Sequence, residues 1–273
     1  MIDPGAVLSW GAPKLRDLPW RATRDPWEIL VAEVMLQQTQ AERVIPKWQA
    51  FVDAYPTPNA CAEASLGDVL RLWQGLGYPR RARNLHLTAA LVVGDHDGLL
   101  PSDLDALLAL PGIGPYTARA VLAFAFEHDA AVVDTNTARV LARSGGERLT
   151  AKRAQDYADS LVPIGDGWLW NQVFMDLGAT ICRPTPRCGE CPVAPTCTWR
   201  VRCRPDPDPA QGSAGVSAPQ APFSGSARQA RGAVLRSLGD GARPYAEFDA
   251  RIVAGLVADG LVVVDGDTVS LPD

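Results

Sequence analysis

Apolar residues recur at the three- and four-residue spacing of helices from residue 5 to about residue 203. Short breaks rich in glycine and proline separate these stretches, and none shows the convincing alternation of a half-buried strand. Asp25 and Pro26 can open a long helix as its N-cap and its first residue. The pattern predicts an all-α core over residues 1–203, with helices at 26–38, 40–54, 66–74, 78–95, 104–108, 116–126, 135–144, 153–161 and 168–181.

The composition changes after this core. Residues 204–227 consist largely of proline, glycine, serine and alanine, with too few large apolar side chains to offset the entropy of ordering. We therefore predict a flexible linker there. Two helical patterns follow at 228–238 and 247–259, and two short strands then flank an Asp-Gly turn. This order predicts a small α+β module over 228–273, similar to a winged helix, which we expect to be dispensable for any chemistry.

Composition and charge limit the class of protein. The 273 residues are 47% hydrophobic and 21% charged, as in a folded protein of about two domains. No apolar run approaches the ~18 residues of a membrane helix, and Asp3 lies where a signal peptide carries positive charge. We expect a cytoplasmic protein with no membrane partner. Its net charge of −5 means that any contact with nucleic acid must be local.

The cysteines are clustered. Four of the six follow the spacing C-x5-C-x2-C-x5-C, which is unlike a disulfide framework. Four thiolates at this spacing can bind a 4Fe–4S cluster or a tetrahedral zinc ion. A fifth cysteine follows closely, so the sequence predicts a metal site and leaves open which four bind it. The candidates are Cys182, Cys188, Cys191 and Cys197, with Cys203 as the fifth.

A glycine-containing turn joins two predicted helices at Leu110–Gly114. Gly112 and Gly114 permit a tight turn and a close approach to a phosphate, which the amide N–H groups opening the next helix can bind. The segment has the form of a helix-hairpin-helix, a motif that would anchor DNA without reading its sequence. A plain turn between two helices has the same pattern.

Two carboxylates are candidates for catalysis. Asp134 precedes a predicted helix, where an isolated aspartate is usually only an N-cap. Glu33 lies in the middle of a helix, where an isolated glutamate is usually solvated. Their combination with the hairpin and the cysteines favours an active site.

Five separated motifs carry a resemblance to a known family. They are EVMLQQTQ (33–40), GLGYPRRARNLH (75–86), LPGIGPYTARA (110–120), VVDTNTARVLAR (132–143) and MDLGATIC (175–182). Together with the cysteines they resemble the adenine DNA glycosylases of the helix-hairpin-helix superfamily, which also holds endonuclease III. The resemblance covers about residues 10–200. It implies a six-helix barrel over about 23–133, a cluster subdomain made of 1–22 and 134–203, and DNA bound between them.

The resemblance also implies an activity and roles for single residues. A monomer would bind double-stranded DNA and hydrolyse the N-glycosidic bond of adenine mispaired with 8-oxoguanine or guanine. Glu33 would protonate the flipped adenine at N7, and Asp134 would stabilise the positive sugar. The other implied positions are Tyr116 and Asn136 beside the carboxylates, Arg16 and Arg21 near the adenine, Gln38 and Tyr78 wedged into the duplex, Thr39, Gly112, Gly114 and Thr117 on the DNA, and a 4Fe–4S cluster on Cys182, Cys188, Cys191 and Cys197.

The chain departs from the family's pattern at several places. The first cysteine gap is one residue shorter than usual, Thr135 replaces a common glycine, and Pro79 replaces a common tyrosine. The stretch after residue 203 does not resemble the family's usual large C-terminal domain that inspects 8-oxoguanine, so the base opposite the adenine stays open.

Three other functions fit part of the pattern. A glycosylase acting on mismatched thymine or uracil would share the hairpin tyrosine and the aspartate, but only a purine offers N7 to Glu33. A lyase would need an amine nucleophile, and Tyr116 occupies the position of that lysine. A cluster-bearing DNA-binding protein without activity would tolerate loss of either carboxylate.

Overall fold

The structure, a computed structural model, describes residues 2–216 and 222–273. Contacts divide it into two compact units. The first unit comprises the described residues 2–24 and 115–216, and the second comprises 25–114 and 222–273. In the described part of the chain, no helix combines the length and apolar character needed to cross a membrane.

Helices dominate both units, which confirms the predicted all-α core. In the first unit they are α1 (Pro4–Gly11), α8 (Pro115–Phe124), α9 (Thr135–Gly145), α10 (Ala151–Asp159), α11 (Gly167–Asp176) and α12 (Thr198–Val201). In the second unit they are α2 (Pro26–Leu36), α3 (Ala41–Ala54), α4 (Pro58–Glu63), α5 (Leu66–Trp73), α6 (Arg80–Asp95), α7 (Leu104–Leu108), α13 (Ala227–Ser237) and α14 (Ala250–Ala258).

The core of the first unit forms where α1, α9, α10 and α11 meet. Val7, Leu141 and Leu177 are buried there, and Trp170 stacks on Phe174 with ring centroids 4.9 Å apart. Helix α11 continues into a π-helical turn, Leu177–Ile181. Such turns are rare and are often found at functional sites.

Helix α2 runs through the core of the second unit. Asp25 begins it by accepting hydrogen bonds from the N–H groups of Trp27 and Glu28. Residues 29–35 are buried, so this helix has no solvated face along most of its length. Glu33 is the one charged residue in that buried stretch.

The C-terminal part of the second unit has the predicted order of helix, helix and hairpin. Strands β1 (Arg243–Pro244), β2 (Val263–Asp265) and β3 (Thr268–Ser270) form an antiparallel sheet in the order β1-β3-β2. The strand β1 was not predicted, because two residues carry no periodic pattern. The likeness to a winged helix remains a prediction.

The linker predicted over 204–227 differs from the structure in its first half. Ala210 and Ser213 are buried against the first unit, and the Ser213 hydroxyl accepts a hydrogen bond from the Leu149 N–H at 3.0 Å. Asp208 pairs with Arg143 at 2.5 Å. These polar contacts hold a stretch that lacks large apolar groups. Residues 217–221 of the predicted linker lie outside the described residues, and 222–225 are exposed.

The boundaries between the units also differ from the predicted subdomain limits. The contacts place the divisions after residues 24 and 114, whereas the sequence analysis placed them after residues 22 and 133. The second division moves because α8 packs against α11 of the first unit.

Candidate active site and cysteine pocket

Asp134 lies at the N-terminus of α9, where two donors orient its carboxylate. Oδ1 accepts a hydrogen bond from the Thr137 N–H at 2.6 Å, and Oδ2 accepts one from Asn136 Nδ2 at 2.9 Å. The side-chain oxygen Oδ1 of Asn136 in turn accepts from Arg139 Nη2 at 2.8 Å. The structure thus brings Asp134 and Asn136 together, as the resemblance implies, and fixes the direction of the carboxylate.

Two residues that the sequence analysis did not single out support this pair. Arg139 also donates to the carbonyl oxygens of Gly178 at 2.8 Å and of Cys182 at 2.6 Å, and burial lowers its pKa. A Cβ on Gly178 would lie 2.7 Å from backbone and side-chain atoms of Asn136. The π-helical turn therefore needs glycine at 178 to approach Asn136 this closely.

Arg16 and Arg21 both bind the buried carboxylate of Asp176. Arg21 donates from Nη1 and Nη2 at 2.8 Å each, and Arg16 donates from Nε at 2.6 Å and from its backbone N–H at 3.0 Å. Burial raises the pKa of Asp176, but the two arginines outweigh this effect and the net pKa lies below its ordinary value. Asp176 was missed in the sequence because its partners lie 155 and 160 residues away. The predicted position of the two arginines near the adenine stays a prediction.

We expect Asp176→Asn to lower the free energy of unfolding by about 3–5 kcal/mol, because it leaves the Arg21 guanidinium buried without a counter-charge. The Arg21 side chain is only 7% exposed. Since the pKa of Asp176 is depressed in the folded protein, its stabilising charge is present above the ordinary aspartate pKa. The advantage of wild type over the variant should shrink as the pH falls through the depressed value. Urea unfolding across this pH range measures both effects.

The matched control is Asp156→Asn, which removes one charge from an exposed pair with Lys152. It should leave the urea midpoint unchanged within error. Equal losses for the two variants would contradict a stabilising role for the Asp176 ion pairs.

Glu33 is buried in α2, with 4% of its surface exposed. Its neighbours Ala32 and Val34 are buried as well. The simpler interpretation of a solvated helix glutamate is therefore wrong. Glutamate is almost never this buried without a specific partner or a function, so the burial marks Glu33 as a candidate acid.

Two turns of the second unit carry predicted DNA-binding residues. One turn holds Gln38 and Thr39, the other holds Tyr78, and Arg81 forms hydrogen bonds to both turns. Gln38 has φ of 57° and Tyr78 has φ of 49°, a left-handed conformation that is uncommon outside glycine. Arg81 donates to the Thr39 hydroxyl, and its other acceptors are the carbonyl oxygens of Val34, Met35, Gln37, Leu76 and Gly77, at 2.7 to 3.3 Å.

Arg81 was also missed in the sequence. Burial lowers its pKa to about 10, and its guanidinium lies 5.4 Å from the ring centroids of both Trp73 and Tyr78. It satisfies carbonyl groups at the end of α2 that have no partner within the helix. One partly buried arginine thus holds the Gln38 turn and the Tyr78 turn together.

The turn of the predicted helix-hairpin-helix, Leu110–Gly114, packs against α6. Thr88 donates to the Pro111 carbonyl oxygen at 3.0 Å, and a Cβ on Gly112 would lie 2.7 Å from the Asn84 side chain. Gly112 also has φ of 76°, so both its conformation and its surroundings require glycine. By contrast, a Cβ on Gly114 would meet nothing within 4 Å. The fold itself does not need glycine at 114, and space is open there for another molecule.

The hairpin continues into α8 of the first unit, where Tyr116 and Thr117 lie in the first turn. Tyr116 is partly exposed. The Thr117 side chain is buried, with 2% of the residue exposed. The predicted contact of Thr117 with DNA stays a prediction.

The four clustered cysteines line one pocket of the first unit, which we call the cysteine pocket. Its wall also includes Ile181, Ala194 and Trp199. Arg143 lies 3.5 Å from the Cys182 sulfur, and the Cys197 thiol donates to the Arg143 carbonyl oxygen at 3.4 Å. Burial raises the pKa of Cys191 to about 11. The four cysteines in this wall are Cys182, Cys188, Cys191 and Cys197.

Cys203 and Cys61 do not belong to this pocket. Cys203 is exposed, and Cys61 is buried in the second unit, where burial raises its pKa to about 12. Within residues 2–216 and 222–273, no three metal-binding side chains lie close enough together for a single ion. The four cysteines of the pocket stay the predicted ligands, and Cys203 lies outside the pocket.

Comparison with known proteins agrees with this arrangement. Residues 31–163 match the model of the HhH-GPD superfamily of base excision DNA repair proteins. An adenine DNA glycosylase of Mycobacterium tuberculosis is 42% identical over 97% of this chain and 92% of its own length. The chain belongs to the HhH-GPD superfamily. Curated relatives of this HhH-GPD chain from other bacteria and from Homo sapiens are also named adenine DNA glycosylase.

Solved structures of DNA repair enzymes with a similar fold align with most of the chain. A thermostable thymine-DNA glycosylase has a TM-score of 0.70 and 33% identity, and the match covers 73% of this chain and 95% of that one. Endonuclease III in a non-covalent complex with DNA has a TM-score of 0.64 and 25% identity, covering 74% of this chain and 99% of that one.

Proposed function

We propose that this HhH-GPD chain is an adenine DNA glycosylase, which hydrolyses the N-glycosidic bond of adenine mispaired with 8-oxoguanine or guanine. The observation that carries the proposal is the buried Glu33 on α2. A carboxyl group held in one place inside the protein can act as a general acid toward a base extruded from the duplex. Adenine is a substrate that can use this proton, because a purine offers N7 and a pyrimidine does not.

The chemistry proceeds on a base extruded from the duplex. Glu33 donates its proton to N7 of adenine, so that the bond between N9 and C1′ breaks with its electron pair on the base. The sugar then carries positive charge, which the carboxylate of Asp134 stabilises. Adenine leaves with the proton from Glu33, and water attacks C1′ and gives a proton to the Glu33 carboxylate, which restores the acid. Thr137 and Asn136 hold the Asp134 carboxylate in one orientation for this role.

Tyr116 makes the enzyme monofunctional in this proposal. A lyase would attack C1′ with an amine and form a Schiff base, and tyrosine has no such amine. Borohydride treatment during the reaction should therefore trap no covalent protein–DNA adduct. Strand cleavage should need added base or heat. An adduct as abundant as that of a true lyase would contradict this role for the position.

Several predicted residues would hold the DNA. The open space at Gly114 lets a phosphate approach the backbone, and the first-turn N–H groups of α8, including that of Thr117, can bind it. Gln38 and Tyr78 would fill the space left by the flipped base, on turns that Arg81 and Thr39 stabilise. We further propose that Arg16 and Arg21 lie near the adenine, and that the protein acts as a monomer in the cytoplasm or nucleoid.

The residues of the cysteine pocket fit a 4Fe–4S cluster. Four thiols, no carboxylate and the Arg143 guanidinium surround one space, and each iron of such a cluster takes one thiolate. Four thiolates can also hold a single zinc ion, so the metal content decides between the two. The reaction transfers no electron, so the cluster would act by holding the loop from Cys182 to Cys197. Arg139 connects this loop to Asn136 through the Cys182 carbonyl.

Purified wild-type protein should contain about four irons per chain. Cys188→Ala should lose the iron and the visible absorption that goes with it, because it removes one ligand of the pocket. Cys203→Ala is the matched control and should keep both, since Cys203 is exposed and outside the pocket. Stoichiometric zinc without iron after anaerobic purification would overturn the assignment.

The proposed activity is tested with four duplexes, which carry adenine opposite 8-oxoguanine, adenine opposite guanine, thymine opposite guanine and uracil opposite guanine. Single-turnover assays should show release of adenine from the first two and no release of pyrimidine. Release of thymine or uracil without adenine would replace the proposal with a mismatch pyrimidine glycosylase.

A further inference from the structure

The C-terminal segment, residues 222–273, packs on helices α5 and α6 of the second unit. The Gly67 N–H donates to the Pro272 carbonyl oxygen at 2.8 Å, and Arg71 Nε donates to the Gly239 carbonyl oxygen at 2.9 Å. A Cβ on Gly67 would lie 2.6 Å from that Pro272 oxygen. The contact is thus closer than any other residue at 67 would allow.

Charged groups add to this packing. Asp259, which follows α14, binds both Arg80 of α6 and Arg231 of α13. Inside the segment, Leu238, Val253 and Leu256 form a small buried core. The C-terminal segment is therefore a fixed part of the unit that carries Glu33, Gln38 and Tyr78.

One side chain of the C-terminal segment, Arg228, contacts Tyr78. Arg228, in the first turn of α13, donates from Nη1 to the Tyr78 hydroxyl at 2.9 Å. Its guanidinium carbon lies 5.9 Å from the centroid of the Tyr78 ring. Arg81 lies 5.4 Å from the same centroid, so two guanidinium groups hold one ring.

Arg228 and Arg81 restrain different parts of Tyr78. Arg81 binds the backbone of the turn, through the carbonyl oxygens of Leu76 and Gly77. Arg228 binds the hydroxyl at the far end of the side chain. The backbone of Tyr78 is in a left-handed conformation, which surrounding contacts must maintain. Without Arg228 the contacts of Arg81 with the backbone would remain, but the ring would lose a hydrogen bond at its tip.

We propose that Arg228 is a positioning residue for Tyr78, through which the C-terminal segment sets the preference for the base opposite the adenine. The inference rests on the proposed function, in which Tyr78 enters the duplex at the mispair. A Tyr78 ring held in one orientation makes different contacts with 8-oxoguanine and with guanine. A ring that can rotate makes similar contacts with both bases. Arg228 thus links a segment without catalytic residues to substrate selection.

The experiment compares Arg228→Ala with Arg236→Ala, an exposed position of the same helix. The measured quantity is the ratio of single-turnover excision rates for adenine opposite 8-oxoguanine and adenine opposite guanine. Arg228→Ala should lower this ratio at least fivefold, and Arg236→Ala should leave it at the wild-type value. Arg228→Lys should restore part of it, because lysine can still donate to the hydroxyl.

A double-mutant cycle tests whether Arg228 acts through the hydroxyl. Tyr78→Phe keeps the ring and removes the acceptor, so it should reproduce the effect of Arg228→Ala on the ratio. The double variant should then be no worse than either single variant. Additive losses would show that Arg228 does not act through Tyr78.

A second readout does not depend on catalysis. Affinity for duplexes with an uncleavable abasic analogue opposite 8-oxoguanine or guanine should show the same loss of preference in Arg228→Ala. The melting temperature of each variant shows whether the substitution destabilises the fold instead of changing base preference. A lower melting temperature with an unchanged ratio overturns the inference. Wild-type protein that releases no adenine from any duplex overturns the proposed function instead.

Discussion

Glu33→Gln should lower the single-turnover rate of adenine excision by about 10²- to 10⁴-fold, the range that a positioned general acid contributes. Glutamine has nearly the same size and fits the buried site in α2, but it has no acidic proton to give to N7. Because substrate contacts elsewhere are unchanged, affinity for a duplex carrying an uncleavable analogue should stay within a few fold of wild type. Rapid-quench assays and binding titrations measure the two quantities separately.

The matched control is Glu28→Gln on the same helix. Glu28 is partly exposed near the start of α2, so the same chemical change should leave the excision rate unaltered. If Glu33→Gln excised adenine at close to the wild-type rate, Glu33 would not be the acid. If Glu33→Gln failed to fold, Glu33→Asp would provide the second test, because it keeps the proton at a shorter reach.

Asp134→Asn should lower the excision rate by about 10²- to 10³-fold, because it removes the negative charge that would face the sugar cation. Asparagine is as good an N-cap as aspartate, so α9 should still begin at Thr135. The carbonyl oxygen of the new side chain can accept from the Thr137 N–H as Oδ1 does now. We therefore expect normal folding and normal DNA binding with slow chemistry, measured by circular dichroism, titration and single-turnover assay.

Asp103→Asn is the control for this change. Asp103 caps α7 by accepting from the Ala106 N–H at 3.0 Å, so the variant makes the same substitution at a cap without a proposed catalytic role. It should keep the wild-type excision rate. Equal rates of adenine excision for Asp134→Asn and wild type would show that Asp134 is only the N-cap of α9.

Local sequence signals predicted most of the helices. Caps and apolar spacing located α2, α5 and α7 within a few residues of their observed ends, because these signals act between residues three and four apart. Helices α1, α4 and α12 were not predicted, since eight, six and four residues leave little room for a period to show. The same reasoning explains the missing strand β1.

The sequence also located part of the candidate site. Asp134 and Asn136 are two residues apart, and their hydrogen bond follows from the local geometry of a helix start. The four cysteines are close in the chain and line one pocket. For Glu33 the sequence indicated a candidate but not its burial, which depends on how the second unit packs around α2.

The residues that support the site were not predictable in this way. Arg81 and Arg139 reach acceptors about 40 residues away, and Asp176 binds arginines more than 150 residues away. Arg228 contacts Tyr78 across 150 residues. A pattern along the chain carries no information about such contacts. The linker predicted over 204–227 differs from the structure for the same reason, because Asp208 and Ser213 bind Arg143 and Leu149 of earlier elements.

The central claim is that a proton given to N7 makes adenine leave, and one substrate tests it most directly. A duplex carrying 7-deazaadenine opposite 8-oxoguanine replaces N7 by a C–H group and leaves the pairing edge unchanged. Under single-turnover conditions, wild-type protein should release adenine from the normal duplex and no detectable 7-deazaadenine, while binding both duplexes with similar affinity. Release of the two bases at comparable rates would contradict the mechanism.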